Sequence, residues 1–206
     1  MKHIIPFLFV VMALSIGLSK PADAKSMVNP TLNSSIVESN DGFMALYVQY
    51  LNNDPELSNP ENYSRYALVY IDNDDIPELV LEGTCEAYGF CVLTQHQGVV
   101  TNMVTARLGL SYIEKSGLCC NSNGHMGYYF SYVFQLKDGE FTEIARWESA
   151  EDPFGSEDDV TFSFNGVEME ESRADALLDE AYASKGTPID VYDCQWQDLE
   201  LLLDKK

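Results

Sequence analysis

Asp72, Asn73, Asp74 and Asp75 stand in one run, followed by Ile76, Pro77 and Glu78. They interrupt two short apolar stretches, residues 66–71 and 78–81, whose β-branched and aromatic content predicts strands on either side of a turn. Carboxylates two residues apart in a tight turn can converge on one hard cation, and calcium prefers such oxygen donors. Asp72, Asp74 and Glu78 are therefore the candidate metal ligands, and calcium is the candidate cofactor. The alternative is a loop kept for its turn geometry alone.

The segment YALVYIDNDDIPELVLEG also resembles a D-x-[DN]-x-D-G-x-P-E-L loop found in uncharacterised exported proteins of anaerobic, often gut-dwelling, bacteria. That loop is related to the calcium loops of dockerin-like and integrin-type propeller repeats. The similarity is close over about 15 residues and looser through residues 112–115, 123–128 and 134–141, ending near Asn165-Gly166. It implies a small exported β-rich domain with a degenerate calcium-type loop. Alignment on Ile76-Pro77-Glu78-Leu79 keeps Asp72, Asp74 and Glu78 at ligand positions. It puts Tyr70 where the first acid should stand, and Asp75 where glycine would permit the sharp turn.

Five cysteines and three histidines offer a second chemistry. Cys85 and Cys91 flank a glycine-containing turn and are one candidate disulfide. Cys119 and Cys120 would alternate faces on a strand, so only one of them can reach Cys194; Cys120–Cys194 is the second candidate. Five reduced thiols serving as small core residues are the competing expectation. No pair has the usual zinc spacing. His96 or His125 with Cys119 or Cys120 could form a nucleophile pair, although His125, within Asn-Gly-His-Met-Gly, reads first as a turn residue. The chain has no Gly-x-Ser-x-Gly elbow, phosphate-cradling glycine loop or His-Glu-x-x-His.

Charge narrows the class. With 33 acidic and 12 basic side chains the net charge is -21, which excludes nucleic acid as a partner and disfavours anionic lipid. Met1-Lys2-His3, the apolar run 4–18 and Ala22-Asp23-Ala24 fit a signal peptide, too short to span a bilayer. Cleavage after Ala24 would leave 182 residues carrying -22, with no membrane attachment once the leader is gone. A secreted or periplasmic location follows. Twelve tyrosines, ten phenylalanines and two tryptophans favour a packed core over disorder.

The elements that must position these groups form one domain, residues 40–206, behind a loose segment at 25–39. Phe43, Leu46, Tyr47, Tyr50 and Leu51 mark a helix that Asn40 or Asp41 could cap. Strands are expected at 66–71, 78–81, 90–94, 99–105, 110–114, 128–136, 141–147 and 160–164, with Gln97-Gly98, Asp138-Gly139 and Asn165-Gly166 as turns. A helix capped by Ser172, with Asp175 completing a capping box, carries Ala174, Leu177, Leu178, Ala181 and Tyr182 inward. A shorter helix is expected over 193–203. The fold class is α+β: an antiparallel meander sheet with an N-terminal helix and one or two C-terminal helices. Tyr88, Tyr112, Tyr128, Tyr129 and Tyr132 could form a stacking face. The functional expectation is a non-enzymatic binding or accessory protein for an unidentified protein or carbohydrate; the alternative is a small secreted hydrolase using a Cys-His or carboxylate pair.

Overall fold

The computed structural model describes residues 42–151 and 160–204. The leader with its cleavage point at Ala24, the segment 25–39 and the capping candidates Asn40 and Asp41 lie outside the described residues.

The chain is α+β, and its strands divide between two antiparallel sheets. Helix α1 (Gly42–Asn53) precedes β1 (Tyr63–Val69), β2 (Glu78–Gly83), β3 (Phe90–His96) and β4 (Val99–Val104), which pair in sequence order. The second sheet repeats this meander with β5 (Leu110–Ile113), β6 (Leu118–His125), β7 (Tyr128–Lys137), β8 (Glu140–Glu151), β9 (Val160–Phe164) and β10 (Val167–Met169). Helix α2 (Glu171–Ala181) follows. The chain then lays β11 (Ile189–Asp190) on β5 of the second sheet and β12 (Gln197–Asp198) on β1 of the first. It ends in α3 (Leu199–Leu203). The C-terminal segment thus straps the two sheets together.

Burial explains why two sheets form. On β2 and β3 the first six positions are all buried, so these strands have no solvent face. Leu79, Leu81, Cys91 and Leu93 pack with Leu46, Tyr47, Tyr50 and Leu51 of α1 and with Leu199 and Leu202 of α3. On the opposite face Val80, Phe90 and Val92 pack with Leu110, Tyr112, Cys119 and Leu136 of the second sheet. The far face of that sheet is covered by α2 through Cys120, Val133, Ala145 and Tyr182. The layers run helix, sheet, sheet, helix. An apolar strand buried on both faces reads as a continuous run, which is how β2 and β3 look in the sequence.

Three expectations change. Residues 118–125 form the full strand β6, so His125 is its last paired residue, opposite Tyr128, and the turn is Met126-Gly127. Cys, Asn, Ser and Gly give little strand signal, and pairing with both β5 and β7 overrides it. Asn121 serves the backbone: its amide donates to Arg107 and Gly109 carbonyls and its oxygen accepts from Ala106 N–H. Helix α2 is preceded by Glu170, without a side-chain cap, and Asp175 accepts the Trp147 indole N–H at 2.9 Å instead of completing a capping box. Only 199–203 of the last segment is α-helical, because Ile189–Asp190 and Gln197–Asp198 are drawn out to pair with the two sheets, with a single 3-10 turn at Val191–Asp193 between them.

The Gln97-Gly98, Asp138-Gly139 and Asn165-Gly166 turns all place two consecutive residues at positive φ, as tight hairpins require. Met126-Gly127 does the same with φ of 50° and 76°. Met126 is 89% exposed, so it gains no packing for holding a left-handed backbone. Met126→Asn should stabilise the protein by about 0.5–1 kcal/mol, since asparagine tolerates this conformation. An unchanged urea midpoint would contradict it.

Candidate metal centre

The acidic loop joins β1 to β2, and the two strands fix its ends in register, Val69 opposite Glu78. Asp72 Oδ1 accepts the Asp74 N–H at 3.1 Å, and Asp74 Oδ1 accepts the Ile76 N–H at 2.8 Å. These two side-chain-to-backbone turns curl the loop and bring the Asp72 and Asp74 carboxylates close to one another. Asp75 sits at φ 62°, so it adopts the left-handed conformation at the position where the resembled loop has glycine. The turn is kept without the residue that makes it cheap.

One ligand atom each from Asp72, Asp74 and Glu78 lies within 4.8 Å of the others. The sequence placed these three together, and the structure does the same. Asp74 is exposed and Asp72 half-buried, whereas Glu78 is only 1% exposed. Glu78 is held from behind: Ile71 N–H donates to its Oε2 at 2.7 Å and the Thr94 hydroxyl to its Oε1 at 3.2 Å. Burial pushes its carboxyl up to about 8, and the Asp72 and Asp74 charges add to the rise. Asp72 is raised as well, chiefly by burial. A hard divalent cation would replace the lost hydration and screen the repulsion. The donor set is all oxygen, which suits calcium or magnesium and not zinc.

Three participants were not legible in the sequence. Tyr47 of α1, 30 residues away, donates its hydroxyl to the Pro77 carbonyl at 3.0 Å and closes the site from below. Thr94 comes from β3. Lys115, in the β5–β6 turn, pairs with Asp75 at 2.7 Å, stands with its ammonium 5.5 Å from the Tyr70 ring centroid and donates its backbone N–H to the Tyr70 carbonyl. The ammonium therefore lies beside the first-ligand position that Tyr70 occupies, and it neutralises Asp75, which does not belong to the triad. Only long-range pairing of β5–β6 with the loop end brings it there.

The thiol and imidazole candidates do not converge. All five cysteines are free. Cys91 faces α1, while Cys85 is exposed outside that core, so the proposed Cys85–Cys91 bridge is absent. Cys120 faces α2 and Cys194 packs against the core between the sheets, so they lie on opposite sides of the second sheet and cannot bond. Cys119 is the member of the pair that shares the face of Cys194. Burial raises the Cys120 thiol to about 11 and Cys119 still further, which keeps both protonated near neutrality. His125 is exposed and His96 half-buried. Among the described residues no hydrogen bond joins either imidazole to a thiol or carboxylate.

The five tyrosines do not share one face. Tyr112 is buried between the sheets, and Tyr88 packs against Tyr63 with centroids 6.0 Å apart. Tyr128 and Tyr132 alternate with Tyr129 along β7; both donate to Glu148 and project opposite to Tyr129, which is 50% exposed. Comparison of the chain with family models, with curated proteins and with solved structures gives no match.

Proposed function

We propose that this chain is an exported, acidic, non-enzymatic binding or accessory protein whose β1–β2 loop takes one calcium ion as a structural staple. The observation that carries the calcium reading is the nearly inaccessible Glu78 carboxylate, anchored by Ile71 and Thr94 and facing Asp72 and Asp74. A carboxylate placed so deep beside two others is costly to ionise unless a cation accompanies it. With β1 and β2 at the two ends of the loop, an ion bound there would tie the first sheet's central hairpin shut. The reading of the leader and of the acidic surface supports a place outside the cytosol, in the periplasm or beyond the cell, where millimolar calcium is met.

The test is a thermal and urea melt of the mature protein in EDTA and in 10 mM calcium. A site in the 0.1–1 mM range typical of extracellular modules gives roughly 1.4–2.7 kcal/mol of added stability at that concentration. Asp74→Asn should remove most of the gain while leaving the EDTA curve nearly unchanged. Superimposable curves in calcium and EDTA would reject the staple. Purified material from the periplasm or medium should begin at Lys25; a chain retained in the cell with Met1 intact would reject export.

A further inference from the structure

A second site lies on the other side of the molecule, between α2 and the outer face of the second sheet. A cavity of about 240 Å³ opens there. Its floor is a patch of hydroxyls and one thiol from three adjacent strands: Ser111 and Cys120 are directly opposite one another, as are Ser122 and Ser131. Its wall is one face of α2 with Asp175 and Asp179, continued by Tyr182 just past the helix end.

Each hydroxyl of this lining has a partner, but hydrogens to donate outnumber the contacts between them. Ser111 Oγ and Tyr182 OH are 3.0 Å apart, and neither has another side-chain partner among the described residues. Two hydroxyl hydrogens share one contact, so one is left over, on a pair whose tyrosine is 6% exposed. Cys120, Ser122 and Ser131 likewise place three donors on two contacts, at 3.3 and 2.8 Å. The lining thus has two more hydrogens to donate than its own contacts use, one among Cys120, Ser122 and Ser131 on the floor and one on the Ser111–Tyr182 pair. On the wall stand two carboxylates, of which Asp175 is engaged only by Trp147 and Asp179 by no side chain among the described residues.

The charge is one-sided. Asp175 and Asp179 are one turn apart on α2, a like-charge spacing that disfavours the helix. Asp179 also lies in the last turn of α2, where the macrodipole is negative. No Lys or Arg lines the cavity among the described residues. Leu178 and Ala183 supply the apolar part of the lining.

We infer that this cavity binds a single hydroxyl-rich ring, a monosaccharide, with an amino sugar preferred over a neutral one and an acidic sugar excluded. A sugar hydroxyl both donates and accepts, which matches donors on the floor with carboxylate acceptors on the wall, and the ring C–H groups meet Leu178 and Ala183. The volume is below the roughly 300 Å³ at which drug-sized sites begin, so one ring is the fitting size. A ring ammonium would answer the carboxylate pair, and a ring carboxylate would be repelled by it. The inference rests on the binding-protein reading above and supplies its ligand; it is independent of the calcium loop.

Ligand-observed NMR titrations of the mature chain with glucosamine, glucose and glucuronate test it, each run in calcium and in EDTA. Glucosamine should bind about tenfold more tightly than glucose, and glucuronate should not bind. Asp175→Asn with Asp179→Asn should bring glucosamine down to the glucose level, and Ser131→Leu should abolish all binding with an unchanged far-UV spectrum and melt. Absence of binding by all three sugars overturns the inference, as does equal binding of glucuronate, or Ser131→Leu binding like the wild type. Loss of sugar binding with the calcium shift intact would fell this inference alone, and the converse would fell only the staple.

Discussion

Raising the pH from about 4.5 to 8 in EDTA should cost the protein stability through Glu78, and Glu78→Gln should abolish that part of the slope. The sign follows from where the proton is held. Below the ordinary carboxyl value of 4.5, Glu78 is neutral in both folded and unfolded chains, and its contribution is at its most favourable. Above that value the unfolded chain releases the proton while the folded chain keeps it until about 8. Each pH unit in this window therefore removes about 1.4 kcal/mol, on the order of 3 kcal/mol by pH 7. Burial and the Asp72 and Asp74 charges raise Glu78 against the opposing pull of the Ile71 N–H and the Thr94 hydroxyl, and Glu78 in turn raises Tyr47 of α1 and Cys119 of β6.

Glutamine fits the same place. Its oxygen can accept from Ile71 N–H and its amide can donate to the Thr94 hydroxyl, so both neighbours keep a partner. In EDTA the variant should be more stable than the wild type at pH 7–8 and equal to it near pH 4. Calcium should restore the wild type and leave the variant where it was. Urea midpoints across pH decide this, with the difference between the two proteins cancelling the general self-repulsion of the acidic surface. Parallel curves for the two proteins would mean that Glu78 is not buried as a neutral acid.

Phe90→Ala should cost about 3–5 kcal/mol, the usual penalty for emptying a buried aromatic site. Phe90 is fully buried on the face of β3 that meets the second sheet. Its ring stacks on Trp196 at 6.1 Å and meets Tyr192 edge-on at 5.5 Å, so it is also the seat of the C-terminal strap. Trp196 is held in turn by the Arg65 guanidinium, 5.3 Å from its centroid, and by its own indole N–H on the Val191 carbonyl at 3.0 Å. The variant should therefore lose amide protection in residues 190–198 before the rest of the molecule unfolds. Leu68→Ala, at a position 38% exposed, should cost less than 1 kcal/mol and leave that protection intact. A Phe90→Ala protein with wild-type midpoint and exchange would show that the strap does not depend on this contact.

Much of the fold was written locally. The stripe of Phe43, Leu46, Tyr47, Tyr50 and Leu51 gives α1, and the Gly-containing turns give the meander, because a helix face and a two-residue hairpin are each decided within a few residues. The same holds for Asp72, Asp74 and Glu78, which meet because a tight turn between two paired strands leaves them nowhere else to go. Strand β6 was not legible, since its Asn, Ser and Gly acquire strand geometry only from neighbours on both sides.

Composition and short-range spacing thus determined the α+β class, the order of most elements and the three carboxylates. Tertiary structure alone decided that the strands split into two sheets, that Cys120 and Cys194 face apart, and that Tyr47, Thr94 and Lys115 join the acidic loop. It also assembled the cavity under α2 from strands and a helix 40 or more residues apart. The reason is one of range: hydrogen-bonded turns and amphipathic stripes are fixed by neighbours in sequence, whereas which face of a sheet is covered, and by what, depends on burying apolar area between segments whose separation along the chain carries no signal.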